Sequence, residues 1–171
     1  MKSVNFLNNL KNAIDSISHV TLDNLSSYIV ETKGKIIILG NGGSNAIASH
    51  IAEDYSKALK KPSLSFSDAA KLTCYANDYG YEHAFKYFLI DFAEKNDLVI
   101  LISSSGNSQN IINCAIYCIE NAIPFISLTG FSQTNNLKNI SDKYALLNIW
   151  VDSSDYGVVE LTHETILHSL I

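Results

Sequence analysis

The chain has 171 residues, a net charge of −5, 47% hydrophobic and 17% charged residues. That length suits one domain burying roughly two-thirds of its unfolded surface, and the composition excludes a disordered chain. Lys and Arg form no block, so neither nucleic acid nor an anionic membrane finds the clustered cations it needs.

No apolar run approaches the roughly 20 residues of a membrane span, and the opening MKSVNFLNNLKNAID lacks the apolar core of a signal peptide. A reducing cytosol is therefore expected. Cys74, Cys114 and Cys118, odd in number and without metal spacing, read as buried thiols.

Val4, Leu7, Leu10, Ile14 and Ile17, then Leu22, Leu25 and Ile29, recur at three to five residues, which predicts an N-terminal helical stretch with a break near Ser18–Thr21. Ile36 to Leu39, ended by Gly40, is an unalternating β-branched run of the kind buried on both faces of a parallel sheet. A helix is predicted over 44–59 and a short strand in SLSFS after Pro62. Strand 97–102, helix 107–121, strands 124–128 and 145–151, and helix 158–171 complete the order. This alternation predicts an α/β fold: a five-stranded parallel sheet flanked by helices in three layers, with N-terminal helices added. Ligands in such sheets bind at the carboxyl ends of the strands.

Two unusual turns fall at such ends. Gly40-Asn41-Gly42-Gly43-Ser44-Asn45 lets backbone approach an anion and opens a helix whose first N–H groups are free. It is neither a Walker loop, lacking Lys before the Ser, nor GxGxxG, since Asn45 stands at the last position. A plain strand-to-helix turn would explain it equally well. Ser103-Ser104-Ser105-Gly106-Asn107-Ser108 is more specific, because four serines in six residues offer a cradle of neutral donors for a phosphomonoester that must bind and leave.

GNGGS, then HIAED, CYANDYG and SSSGNS, together resemble the phosphoheptose isomerase family of SIS (sugar isomerase) domains, from about Leu7 to the last residue. The resemblance implies a single SIS domain over 1–171, with 1–32 a helical oligomerisation segment. It implies an enzyme interconverting sedoheptulose 7-phosphate and a glycero-manno-heptose 7-phosphate for surface polysaccharide synthesis, and a homotetramer with active sites between subunits. Asn41, Gly42, Gly43, Ser44, Asn77, Asp78, Ser103, Ser104, Ser105 and Ser108 would then bind the substrate. The same branch holds a protein that binds a replication initiator, so an isomerase for another phosphosugar and a non-catalytic binding protein stay open.

Aldose–ketose isomerisation moves one proton between adjacent carbons and another between their oxygens, which needs an acid and a base or a polarising metal. His50 and Asp54 share a helix face at i and i+4. Glu160, His163, Glu164 and His168 crowd the last predicted helix. Each of these has an alternative as a solvated or core side chain, and His19 and His83 read as outside the site. The resemblance implies that His50, Asp54, Glu160 and His168 hold zinc, that Asp54 and His168 are the acid/base pair, and that Asp54 and Glu160 also touch the substrate. Two of these depart from the family pattern, Asp54 standing where Glu is usual and Glu160 where Gln is usual. The loop from Asp152 to Gly157 is also shortened. Glu160 and His168 lie roughly 12 Å apart along a regular helix, too far for one ion, so either Glu160 reaches back from a frayed turn or the ligands come from two subunits.

Overall fold

The computed structural model describes residues 2–171. It begins with α1 (Lys2–Asp15) and α2 (His19–Glu31). The predicted break lies between them, where Ser18 caps α2 by accepting from the Thr21 N–H. Next come β1 (Ile36–Gly40), α3 (Gly43–Lys57), β2 (Ser63–Ser65), α4 (Ala69–Tyr79) and α5 (Tyr81–Phe92). Then follow β3 (Leu98–Ser103), α6 (Gln109–Glu120), β4 (Phe125–Thr129), α7 (Asn136–Tyr144), β5 (Leu147–Trp150) and α8 (Tyr156–His168). Every predicted strand and helix is present, with ends displaced by a few residues.

Helices α4, α5 and α7 have no counterpart in the predicted order. α4 buries no residue and so shows no apolar stripe, while α5 is apolar over most of its surface and hides its period. Their start signals are real nonetheless: Asp68 accepts from the Lys71 N–H and Asn135 from the Lys138 N–H.

All five strands are parallel, in the order β2-β1-β3-β4-β5. The chain steps outward from β1 to β2, then returns across β1 to place β3 on its other side. The glycine turn after β1 and the serine turn after β3 therefore open side by side, at the point where the winding reverses. Alternate strand residues face opposite layers. Ile36, Ile38, Ile100 and Ile126 pack under α2, α3 and α8, whereas Ile37, Leu39, Val99 and Leu101 pack under α5 and α6. At the amino end of β3, buried Asp97 is compensated by Lys35 Nζ at 2.6 Å and by the N–H groups of Lys35 and Glu94.

Cys114 and Cys118 are buried in α6, and burial pushes the Cys118 thiol up to about 12. Cys74 departs from expectation: it is exposed on α4, because that helix buries nothing, and its thiol donates to Asp78 at 3.5 Å. Among the described residues no helix is long and apolar enough to cross a membrane.

Candidate active site

The two turns form one cavity of about 230 Å³, floored by Ile102 and lined by the glycine turn, Ser103–Ser105, Ser108, Tyr156 and Glu160. Gly42, at φ 54°, ends the turn as the N-cap of α3 and offers no side-chain cap. Gly43 leaves room for a different reason: a Cβ there would lie 2.3 Å from Glu160 Oε2, so the bare backbone lets that carboxylate pack against the turn. On the other wall Ser108 caps α6 without a side-chain cap bond, so its hydroxyl is left to the cavity, 3.5 Å from Ser103 Oγ. Two helix N-termini thus point into one space. Ser104 Oγ is buried and has no hydrogen-bond partner among the described residues. A buried orphan hydroxyl costs on the order of 1–3 kcal/mol. Its persistence at the cavity wall fits a donor held for a ligand.

Asn41 lines the cavity and is held in a side-chain network. Its Oδ1 accepts from Tyr81 OH at 2.6 Å and from Asn110 Nδ2 at 2.8 Å, and its Nδ2 donates to Asn110 Oδ1 at 2.9 Å. With both acceptor positions taken, the side chain ties the glycine turn to α5 and α6 while Asn41 still lines the cavity. Asn110 and Tyr81, which hold Asn41 in place, are positions that the sequence reading missed. Residues 69 and 40 positions apart carry no local signal of meeting.

A second cleft, sharing Gly43 and Glu160 with the first, lies between α3 and α8 and is lined by His50 and Glu164. The Tyr55 hydroxyl, donating to Leu167 O at 3.0 Å, pins the two helices and sets their register. His50, Asp54, Glu164 and His168 converge at the far end. His50 Nδ1 lies 3.3 Å from Glu164 Oε1 and His50 Nε2 lies 3.4 Å from Asp54 Oδ2. His168 Nδ1 lies 3.7 Å from Asp54 Oδ2 and its Nε2 lies 3.9 Å from Glu164 Oε1. The rings meet edge-on with centroids 4.8 Å apart. Glu160 is not in this group. Asp155 caps α8 by accepting from the Gly157 and Val158 N–H groups, and the helix is regular from Tyr156. Glu160 therefore cannot reach back from a frayed turn. It stays beside Gly43, where loss of solvent raises its carboxyl above the usual range.

Asn77 and Asp78 occupy the exposed last turn of α4, Asn77 Nδ2 donating to Asp78 Oδ1, and do not line this cavity. His19 and His83 are exposed, as expected. His163 faces inward: fully buried, it makes an Nε2 contact of 3.1 Å with Thr129 O, so Nε2 carries the proton. Burial lowers its pKa to about 4. Its folded value lies below the ordinary imidazole value near 6.5, so the unfolded chain binds the extra proton first as pH falls. Stability is then full above about pH 6.5 and is lost toward pH 4. Between pH 6.5 and 5 this residue costs about 2 kcal/mol. Urea unfolding at both pH values measures it, and His163→Asn is expected to flatten that part of the slope.

A parallel sheet whose glycine and serine turns meet at its switch point, beside an imidazole–carboxylate cleft, defines a sugar-phosphate isomerase type of domain, and the SIS domain family model matches residues 5–130. A phosphoheptose isomerase of Fusobacterium nucleatum is 34% identical over 146 residues, covering 82% of this chain and 73% of that protein. On these grounds the chain belongs to the phosphoheptose isomerase family of SIS-domain proteins. A phosphoheptose isomerase of Glaesserella parasuis is 36% identical over 102 residues, 57% of this chain and 53% of that protein, so the match spans about half of that relative. The structure of phosphoheptose isomerase from Neisseria gonorrhoeae superposes with a TM-score of 0.88 at 24% identity, over 98% of this chain and 94% of that one.

Proposed function

We propose that this protein is an aldose–ketose isomerase acting on a phosphosugar, converting sedoheptulose 7-phosphate to D-glycero-D-manno-heptose 7-phosphate for surface polysaccharide synthesis in the cytosol. The observation that carries the reading is the adjacency of two clefts that share Gly43 and Glu160, one holding the unpartnered Ser104 hydroxyl and the other lined by His50, whose ring meets that of His168. The phosphate sits on the serine turn and the two helix N-termini, and the sugar runs along α3. His50 lies seven residues beyond Gly43, roughly 10 Å along the helix. With C–C bonds of roughly 1.5 Å, an open chain of six or seven carbons together with its phosphate ester approaches that distance and a triose phosphate does not.

Glu160, the carboxyl nearest the substrate cavity, is assigned the proton transfer. Two imidazoles beside carboxylates, partly shielded from solvent, are a donor set that suits zinc. When bound, zinc supplies polarisation of the sugar carbonyl. His50 and His168 would hold it, leaving Glu160 as the carboxyl free to carry protons. Asn77 and Asp78 are assigned to the site of a neighbouring subunit.

That last assignment requires assembly. α1 packs Phe6 and Ala13 against Val158 and Val159, while Val4 and Leu7 face outward at 58% and 61% exposure. We take this outer face as an oligomer contact. Light scattering is expected to give a tetramer at micromolar concentration, and Val4→Asp with Leu7→Asp to give smaller species.

The functional test is a panel of pentose, hexose and heptose phosphates assayed for isomerisation with and without zinc. The heptulose phosphate is expected to have at least a tenfold higher kcat/KM than the shorter sugars. Binding of phosphosugars with no turnover of any would replace the reading with a non-catalytic binding protein.

A further inference from the structure

We propose that Glu164, not Glu160, is the carboxylate that completes the cation site, and that Asp54 holds the two imidazoles from the opposite side as a positioning residue. The inference rests on the isomerase reading for the presence of a cation, and on this chain's geometry for the ligands.

The ligand atoms of His50, Glu164 and His168 all lie within 4.8 Å of one another. Tetrahedral zinc, with bonds of roughly 2.0–2.1 Å, sets its ligand atoms roughly 3.3 Å apart. The His50–Glu164 separation already has that value, and His168–Glu164 exceeds it by well under 1 Å. Glu160 stands one helical turn nearer the amino end of α8, roughly 6 Å from Glu164 along the axis. Its carboxylate presses against Gly43 instead. The family-type set of His50, Asp54, Glu160 and His168 therefore does not converge within one chain.

The two edges of each imidazole decide between Glu164 and Asp54. His50 turns Nδ1 to Glu164 and Nε2 to Asp54, while His168 turns Nε2 to Glu164 and Nδ1 to Asp54. A cation beside Glu164 takes one nitrogen from each ring. It leaves the other N–H of each ring to a single oxygen, Asp54 Oδ2. A carboxylate behind a ligating histidine fixes its tautomer and raises its basicity. The reverse arrangement, with the cation on Asp54, is disfavoured on two counts. The His50–Glu164 contact has hydrogen-bond geometry, aligned with the ring nitrogen. Glu164 and His50 also line the cleft that adjoins the phosphate cradle, whereas Asp54 does not. A cation on Glu164 would therefore border that cleft, and one on Asp54 would not.

The test titrates metal-stripped protein with zinc by calorimetry and with cobalt(II) by its visible absorption, comparing wild type with Glu164→Gln, Glu164→Asp, Glu160→Gln, Asp54→Asn and Asp54→Glu. Thermal melting confirms that each variant is folded. Glu164→Gln is expected to lose at least a hundredfold in zinc affinity and the four-coordinate cobalt spectrum, and Glu164→Asp to lose at least tenfold. Glu160→Gln is expected to stay within threefold of wild type. Asp54→Asn should lose about tenfold while keeping the four-coordinate spectrum, as outer carboxylates do, and Asp54→Glu should recover most of it. Loss of the site in Glu160→Gln with wild-type binding in Glu164→Gln overturns the inference. A wild type that isomerises phosphosugars but binds neither metal also ends it, and leaves the functional reading standing. A wild type that binds metal as described but isomerises nothing ends the functional reading and leaves the site.

Discussion

Replacing Ser104 and Ser108 together by alanine is expected to weaken phosphosugar binding by about a hundredfold while leaving the fold at least as stable as wild type. The two effects have opposite causes. In the ligand-bound state each hydroxyl donates to a phosphate oxygen, and a hydrogen bond to a charged group contributes about 1.5–3 kcal/mol. Losing two such bonds exceeds the 2.7 kcal/mol that corresponds to roughly a hundredfold. In the free protein Ser104 Oγ is buried with no partner and Ser108 makes no capping bond, so removing both breaks no strong internal contact. Calorimetry with a phosphosugar and thermal melting report the pair of effects. A folded double variant with undiminished affinity would place the phosphate elsewhere. Melting lowered by many degrees would assign the serines to structure.

His168→Ala is expected to reduce kcat by roughly 10²-fold or more, because it removes a ligand of the cation that polarises the sugar carbonyl. The side chain is about one-third exposed at the end of α8, so the variant should fold. Three functional neighbours depend on it: Asp54, Glu164 and the facing ring of His50. Turnover and KM measured with excess zinc separate the roles. A change confined to KM would mark His168 as a binding residue, whereas a loss in kcat with KM preserved would put it in the chemistry.

The strands were legible because a parallel strand buried on both faces must be apolar at every position. Ile36 to Leu39 and Leu98 to Ile102 are such runs, and each is fully buried. The phosphate turns were legible for a related reason. Glycines and serines directly after a buried strand, and before a helix, can hardly lie anywhere but at the carboxyl edge of the sheet. Helices α4 and α7 were not legible. Their residues are mostly exposed, and contacts with α5, α6 and the sheet hold them rather than any stripe of their own.

The residue types of the site were also in the sequence: two histidines and three carboxylates at helical spacing on α3 and α8. Their division of labour was not. Glu160, Glu164 and His168 recur every four residues and present the same face, so local periodicity treats the two glutamates alike. Only the docking of α8 on α3, fixed by the packed core beneath them and by Tyr55 on Leu167, sets Glu164 level with His50 and Glu160 level with Gly43. The same holds for Asn41, whose partners lie 40 and 69 residues away. The sequence determined which chemistry the cleft contains, because side-chain type and helical period are local properties. The tertiary structure decided which group meets which, because the register between two helices is set by the core they share.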